Sequence, residues 1–220
     1  MDTFTYGFLA AALLLLASSG PSEACSCFPA HPQTAYCNGG VVIKARFVGA
    51  TKVNLNNRTS EELGWIQYEI KVGKIFKGFD LITDLQFLYT PSEESLCGYT
   101  HLSTNKSEEF VIIGNMIDGK VRISSCGFIR PWDELSASQK RGIMQIYKNG
   151  CNCTIVPCLS MPCSINGDTE CLWTDRLISR SWKAYQTQHN ACLPQSSGTC
   201  TWQSMKLRAA STTLKSSAVL

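Results

Sequence analysis

All twelve cysteines of this 220-residue chain follow residue 24. The stretch ahead of them explains why that matters. Phe8 to Ala17 is a run of about ten apolar residues, followed by Ser18, Ser19, Gly20, Pro21 and then Ser22-Glu23-Ala24. That pattern reads as a cleavable secretion signal over residues 1–24, with small residues at Ser22 and Ala24 where a signal peptidase needs them, although Asp2 stands where Lys or Arg is usual. A membrane anchor would need about twenty apolar residues, roughly twice this run, so the expected product is soluble, extracellular and starts at Cys25. An even number of cysteines in an exported chain implies six disulfides. Thiol-bound zinc is the competing view, since Cys25-x-Cys27 and Cys151-x-Cys153 look like ligand pairs, but structural zinc sites favour two to four intervening residues. Counting alone leaves about ten thousand connectivities open.

Removal of residues 1–24 takes away Asp2 and Glu23 but no Lys or Arg, so the formal charge rises from +3 to +5. Lys71, Lys74, Lys77, Arg141, Lys148 and Lys206 are spread without a dense run. So diffuse a charge is a solvated surface and excludes a dedicated nucleic-acid binder.

Cysteine density divides the mature chain. Residues 25–150 hold five cysteines and residues 151–220 hold seven in about half the length. The first part is long enough for a core of its own. Val41, Ile43, Ala45 and Phe47 alternate with their neighbours, as do Ile66, Tyr68, Ile70 and Val72, and then Leu85, Phe87 and Tyr89. Phe110 to Ile113 is a continuous apolar run suited to a buried strand. Asp118-Gly119 supplies the positive φ angles of a tight hairpin, placing a fifth strand at Val121, Ile123 and Ser125.

Five short antiparallel strands predict a mainly β fold, an OB-like Greek-key barrel with flanking helices, or a small sandwich of the same inventory. Pro32 and Asn38-Gly39 bracket a short helix carrying Cys37. Ser136 with Gln139 forms a capping box, after which Ile143, Met144 and Tyr147 are expected to face inward. Residues 151–206 are too few to build a strong core and are expected to be a small disulfide-rich domain, each bridge contributing about 2 to 4 kcal/mol. The Ser, Thr, Ala and Lys-rich residues 207–220 read as a disordered tail.

Sequons stand at Asn57, Asn105 and Asn152; the last lies between Cys151 and Cys153, where bridging would constrain the backbone, so its occupancy is left open. His31, His101 and His189 are scattered without a His-Glu-x-x-His or Gly-x-Ser-x-Gly context, which argues against a hydrolase. His31 reads as a packing residue. A terminus at Cys25, by contrast, offers its amine nitrogen and carbonyl oxygen together as a chelating pair of the kind zinc accepts.

Cys25-Ser-Cys27-Phe-Pro29-Ala-His31-Pro32-Gln33-Thr-Ala-Tyr-Cys37 closely resembles the amino-terminal signature of the tissue inhibitors of metalloproteinases. The likeness continues through Tyr68-Glu-Ile-Lys71, Phe76-Lys-Gly-Phe79, Tyr89-Thr-Pro91, Cys97-Gly-Tyr99, Ser107-Glu-Glu-Phe110, Cys171-Leu-Trp-Thr-Asp175 and Cys200-Thr-Trp-Gln203. Within the family, the sequons at Asn57 and Asn105 and Ala191-Cys-Leu-Pro194 are most similar in style to the glycosylated, inducible member first described. Tyr36 stands where many relatives have Phe, and Phe28 at a variable position.

The resemblance implies an inhibitory netrin-like OB domain over 25–150 and a smaller domain over 151–206. It implies bridges Cys25 to Cys97, Cys27 to Cys126, Cys37 to Cys151, Cys153 to Cys200, Cys158 to Cys163 and Cys171 to Cys192. It further implies that the backbone nitrogen and oxygen of Cys25 cap the catalytic zinc of a target protease, the sulfur being held in its bridge. Ser26 would enter the pocket after the scissile bond, with Cys27, Phe28 and Pro29 along the groove. Glu94, Ser95, Leu96 and Cys97 form the second contact segment. The expected partners are matrix metalloproteinases and related zinc proteases, with a cell-surface receptor as a further one; the chain is expected to be monomeric and to carry no cofactor of its own. A netrin-like matrix-binding module and a cytokine-like ligand are the alternatives.

Overall fold

The computed structural model describes residues 25–54, 64–82, 84–179 and 181–206. The expected signal over 1–24, the expected tail over 207–220, the sequon at Asn57 and most of the loop that holds it lie outside the described residues.

The inward residues Val41, Ile43, Ala45 and Phe47 sit on strand β1 (Val41–Val53), which pairs antiparallel with β2 (Trp65–Lys77). β2 pairs antiparallel with β3 (Phe87–Pro91), and β4 (Phe110–Ile117) pairs antiparallel with both β5 (Lys120–Arg122) and β1. Expectation and structure part at the closing step: β3 and β5 run parallel, Leu88 opposite Val121. That contact completes a ring of five strands, which leaves the barrel without a free edge. Register shifts at Val42/Ile43, Lys44/Ala45 and Phe47/Gly49 bend β1 so that one long strand serves two neighbours. A short sixth strand, β6 (Ile129–Pro131), adds to β4.

The barrel core is formed by the predicted faces of β1 and β2 together with Leu88, Phe110, Ile112, Val121 and Ile123. The phase of β3 is the reverse of the sequence expectation. Leu88 and Thr90 are fully buried while Phe87 is exposed, because Leu88 lies opposite the inward Tyr68. The fifth strand is also shorter than expected, ending at Arg122, although Ile123 remains buried. The hairpin turn behaves as expected, with Asp118 at φ 52° and Gly119 at φ 71°.

A second core lies on the outer wall of the barrel. There Val42, Val111 and Ile113 pack with Tyr36 of α1 (Pro32–Asn38), Phe128, Leu135, Ile143 and Tyr147, and with Ala191 and Met205 from the end of the chain. Both halves therefore share buried apolar surface. Helix α2 (Ala137–Arg141) starts at the predicted capping box: Gln139 N donates to Ser136 Oγ at 3.1 Å and Ser136 N to Gln139 Oε1 at 3.0 Å. It continues as a π-type turn, Gly142–Ile146, and this widening puts Met144 on the exposed side while Ile143 and Tyr147 are buried. Met144 thus departs from the inward face expected of it.

In the last third, β7 (Thr154–Pro157) pairs parallel with β8 (Glu170–Trp173) and β9 (Asn190–Pro194) antiparallel with β10 (Cys200–Ser204). Two short helices, α3 (Asp175–Ile178) and α4 (Tyr185–His189), lie between these pairs. The core here is mostly sulfur: Cys153, Cys171, Cys192 and Cys200, with Ile155 and Trp202 against them. The bridges join Cys25–Cys97, Cys27–Cys126, Cys37–Cys151, Cys153–Cys200, Cys158–Cys163 and Cys171–Cys192, which leaves no free thiol.

Candidate functional site

Cys25 to Ala30 form no regular element and stand half or fully exposed. Pro32 holds the preceding residue, His31, extended, and the segment ends abruptly there, with His31 1% exposed. His31 is the N-cap of α1, its Nδ1 accepting from Gln33 N at 3.2 Å. Its ring lies edge-on to Trp173 at 5.4 Å and tilted against Trp202 at the same distance. Burial holds its pKa down to about 3, so it is neutral at physiological pH.

Gln33, one turn on, is also buried and anchors the segment to the other half of the chain. Its Nε2 donates to the carbonyls of Gly150 (3.0 Å) and Cys192 (2.7 Å), and its Oε1 accepts from Cys192 N (2.8 Å).

Two bridges fasten the exposed strip to the barrel. Cys25–Cys97 attaches it to the loop after β3, with Cα atoms 5.3 Å apart, and Cys27–Cys126 to the loop before β6, at 5.1 Å. The first loop is rigid by hydrogen bonding. Leu96 N and Gly98 N both donate to Glu93 O at 3.1 Å, and Cys97 N donates to Glu94 O at 2.9 Å. Cys97 takes a left-handed φ of 58°, and at Gly98 a Cβ would run into the carbonyl oxygens of Pro91 and Glu93. Ser125 N closes the arrangement on Cys97 O at 2.9 Å.

The result is one fixed edge built from two segments distant in sequence. Ser26, Cys27, Phe28 and Pro29 are exposed on one, and Glu94, Ser95 and Leu96 on the other, with Cys25 and Cys97 half-buried between them. Phe28 and Leu96 keep 53% and 47% of their surface in solvent, one on each segment of the edge.

Sequence reasoning missed what lies beside that edge. Arg176 of α3 places its guanidinium 4.7 Å from the Phe28 ring centroid and 5.4 Å from that of Trp173. With Leu159 it walls a cavity of about 440 Å³ against Ser26, Cys27, Phe28 and Pro29. No motif marks Arg176, which only the fold brings to the front of the chain.

Among the described residues, the groups of three or more Cys, His, Asp or Glu close enough to share an ion are Cys25, Cys27, Cys97, Cys126 and Cys153, Cys192, Cys200. All seven are disulfide-bonded, so their sulfurs are not available as thiolate ligands. His101 belongs to an aromatic cluster, 4.1 Å from the ring of Phe47, and His189 packs on Tyr185 at 4.9 Å. Asn105 is exposed, its Oδ1 accepting from Ser107 N at 3.0 Å, and Asn152 is exposed in a turn. No described helix is long and apolar enough to cross a membrane.

The family model described as "Tissue inhibitor of metalloproteinase" matches residues 23–202. This chain belongs to that family. Metalloproteinase inhibitor 4 of Mus musculus is 41% identical over 191 residues, covering 86% of this chain and 85% of the relative. Metalloproteinase inhibitor 3 of Scyliorhinus torazame is 40% identical over 198 residues, covering 88% and 89%. Metalloproteinase inhibitor 2 of Gallus gallus is 42% identical over 193 residues, covering 87% and 86%. These nearly equal identities set no one member of the tissue inhibitor family apart. The matched region takes in both segments of the exposed edge and all six bridges.

Proposed function

We propose that this protein is a secreted inhibitor of zinc metalloproteinases, and not an enzyme, that acts by capping its target's catalytic zinc with the amine nitrogen and carbonyl oxygen of Cys25. The observation that carries the reading is the Cys25–Cys97 bridge, which fixes residue 25 against the Glu94–Leu96 turn with an exposed strip on either side.

The chemistry follows from the target. A zinc endopeptidase binds its metal with three protein ligands and keeps a water at an open position. A processed Cys25 has nitrogen and oxygen spaced to close a five-membered ring on that metal and expel the water, leaving no nucleophile. The zinc is the partner's; this chain brings no cofactor. Ser26 enters the pocket beyond the scissile position, Cys27, Phe28 and Pro29 follow the groove, and Glu94, Ser95 and Leu96 cover the other side. Rigidity adds affinity, since ordering a flexible interface residue costs about 0.5 to 1.5 kcal/mol and the bridged strip is already ordered.

Residues 25–150 form the inhibitory unit in this reading and 151–206 the disulfide-rich one, although Arg176 of the second reaches the edge of the first. Matrix metalloproteinases and related zinc proteases are the partners, engaged by a monomer with carbohydrate at Asn57 and Asn105. Those two sequons also favour the glycosylated, inducible branch of the family. A cell-surface receptor is a further partner on the same resemblance.

Titration of the secreted, processed protein against an active zinc endopeptidase tests the reading. Residual peptide cleavage should fall linearly to zero at one inhibitor per enzyme; undiminished cleavage at excess inhibitor would overturn it.

A further inference from the structure

The two bridges of the exposed edge are not independent of each other. Cys126 Sγ lies 3.6 Å from Cys97 Sγ and 3.7 Å from Cys25 Sγ, and Cys25 Sγ lies 3.9 Å from Cys27 Sγ. All four sulfurs fall within 4.8 Å of one another, with Ser125 Oγ 4.0 Å from Cys25 Sγ. The other clustered sulfurs, Cys153, Cys192 and Cys200, are buried, whereas Cys27 and Cys126 are exposed.

We propose that Cys25, Cys27, Cys97 and Cys126 form a thiol–disulfide exchange site that accepts a small extracellular thiol and interchanges the two bridges. A disulfide yields to a thiolate by way of a mixed disulfide, and the rate depends on access and on the distance to the next sulfur. A small thiolate attacks exposed Cys27 Sγ, the Cys27–Cys126 bond breaks, and Cys126 leaves as a thiolate. Cys126 is already in contact with Cys25; its attack there forms Cys25–Cys126 and expels Cys97. The Cys97 thiolate then attacks the mixed disulfide on Cys27, forming Cys27–Cys97 and releasing the small thiolate. Two bonds have broken and two have formed, with no net oxidation and the thiol regenerated.

The alternative attack on Cys97 would leave Cys25 and Cys27 to close a small disulfide ring across a single residue, which strains the backbone in a way that a bridge between distant segments does not. Crossed pairing is therefore the product. It detaches residue 25 from the Glu94–Leu96 turn, so that, on the function proposed above, it weakens inhibition without any loss of chain.

Processed protein incubated with millimolar glutathione at mildly alkaline pH, quenched in acid and digested without reduction, supplies the test by tandem mass spectrometry with backbone fragmentation at Ser26, which separates the Cys25 linkage from the Cys27 linkage. Peptides linked Cys25–Cys126 and Cys27–Cys97 should appear at least about tenfold faster than glutathione adducts at Cys37–Cys151, whose Cys151 is also exposed but belongs to neither sulfur cluster. A Cys27→Ser, Cys126→Ser double variant keeps only Cys25–Cys97, whose two thiols expel glutathione by re-forming their own bond, so it should yield neither rearranged peptides nor lasting adducts at this edge. Absence of crossed peptides, or crossed peptides forming no faster than those adducts, overturns the exchange site whether or not the variant folds. Crossed pairing with undiminished inhibition of a zinc endopeptidase supports the exchange site and contradicts instead the role given above to the Cys25–Cys97 bridge in placing residue 25.

Discussion

Gln33 shows how one residue can hold two halves of a chain together. Its amide is buried, and all three of its hydrogen bonds reach residues more than a hundred positions away. Gln33→Ala leaves the Cys192 N–H without its acceptor and two carbonyls without their donor, which should lower stability by about 3 kcal/mol in urea unfolding; a loss under 1 kcal/mol would show that the amide is dispensable.

His31 supplies a pH term. The unfolded chain protonates this ring near 6.5, while burial delays the same event to about 3 in the fold. Between those values the unfolded state binds more protons, so the contribution is complete above 6.5 and is lost as pH falls toward 3, by about 5 kcal/mol at most. His31→Asn keeps a capping oxygen and removes the titration, so its stability should fall less over that window; an unchanged slope contradicts the assignment.

The amine of Cys25 gives a third residue-scale test. An α-amino group titrates near 7.7 to 8.0 and binds metal only when neutral. Inhibition should therefore weaken as pH drops from 8 to 6, by about thirty- to fiftyfold, when corrected for the enzyme's own profile. Inhibition constants that stay flat across the range would rule the amine out as a ligand.

At the scale of elements, what was legible depended on whether local chemistry or tertiary pairing decided the outcome. The Asp118-Gly119 turn and the Ser136–Gln139 box are local devices, and the chain forms both. β3 was legible as a strand but not in its phase, since Phe87 and Tyr89 look like core residues until Leu88 is set opposite Tyr68. Its parallel contact with β5 has no sequence signal at all, because closure of the ring decides it. Met144 failed for a related reason: a π-type turn rotates the helix face that a regular period assigns. The capping box also joins elements, Ser136 Oγ donating to Gln188 O of α4 at 3.0 Å. Ser136→Ala should cost about 1 to 2 kcal/mol and loosen amide-exchange protection in both α2 and α4; protection lost in α2 alone would show the two helices to be uncoupled.

For the molecule as a whole, cysteine density suggests a boundary near residue 150 but carries no sign of the contacts that span that position. Cys37–Cys151 spans that position, and Ala191 and Met205 complete a core begun by Val42 and Val111. The candidate edge was legible as two segments, since a run of cysteines and proline marks each of them or its neighbours. The wall that Arg176 and Leu159 add was not, because nothing local distinguishes those residues.

The central claim, that a free amine at residue 25 is the working group, can be isolated from the fold. One alanine placed before Cys25, or acetylation of the amine, removes the chelating nitrogen and leaves all six bridges in place. Titrated beside the unmodified protein against the same zinc endopeptidase, the blocked form should bind at least about a hundredfold more weakly, about 2.7 kcal/mol. Equal inhibition by both forms would contradict the account.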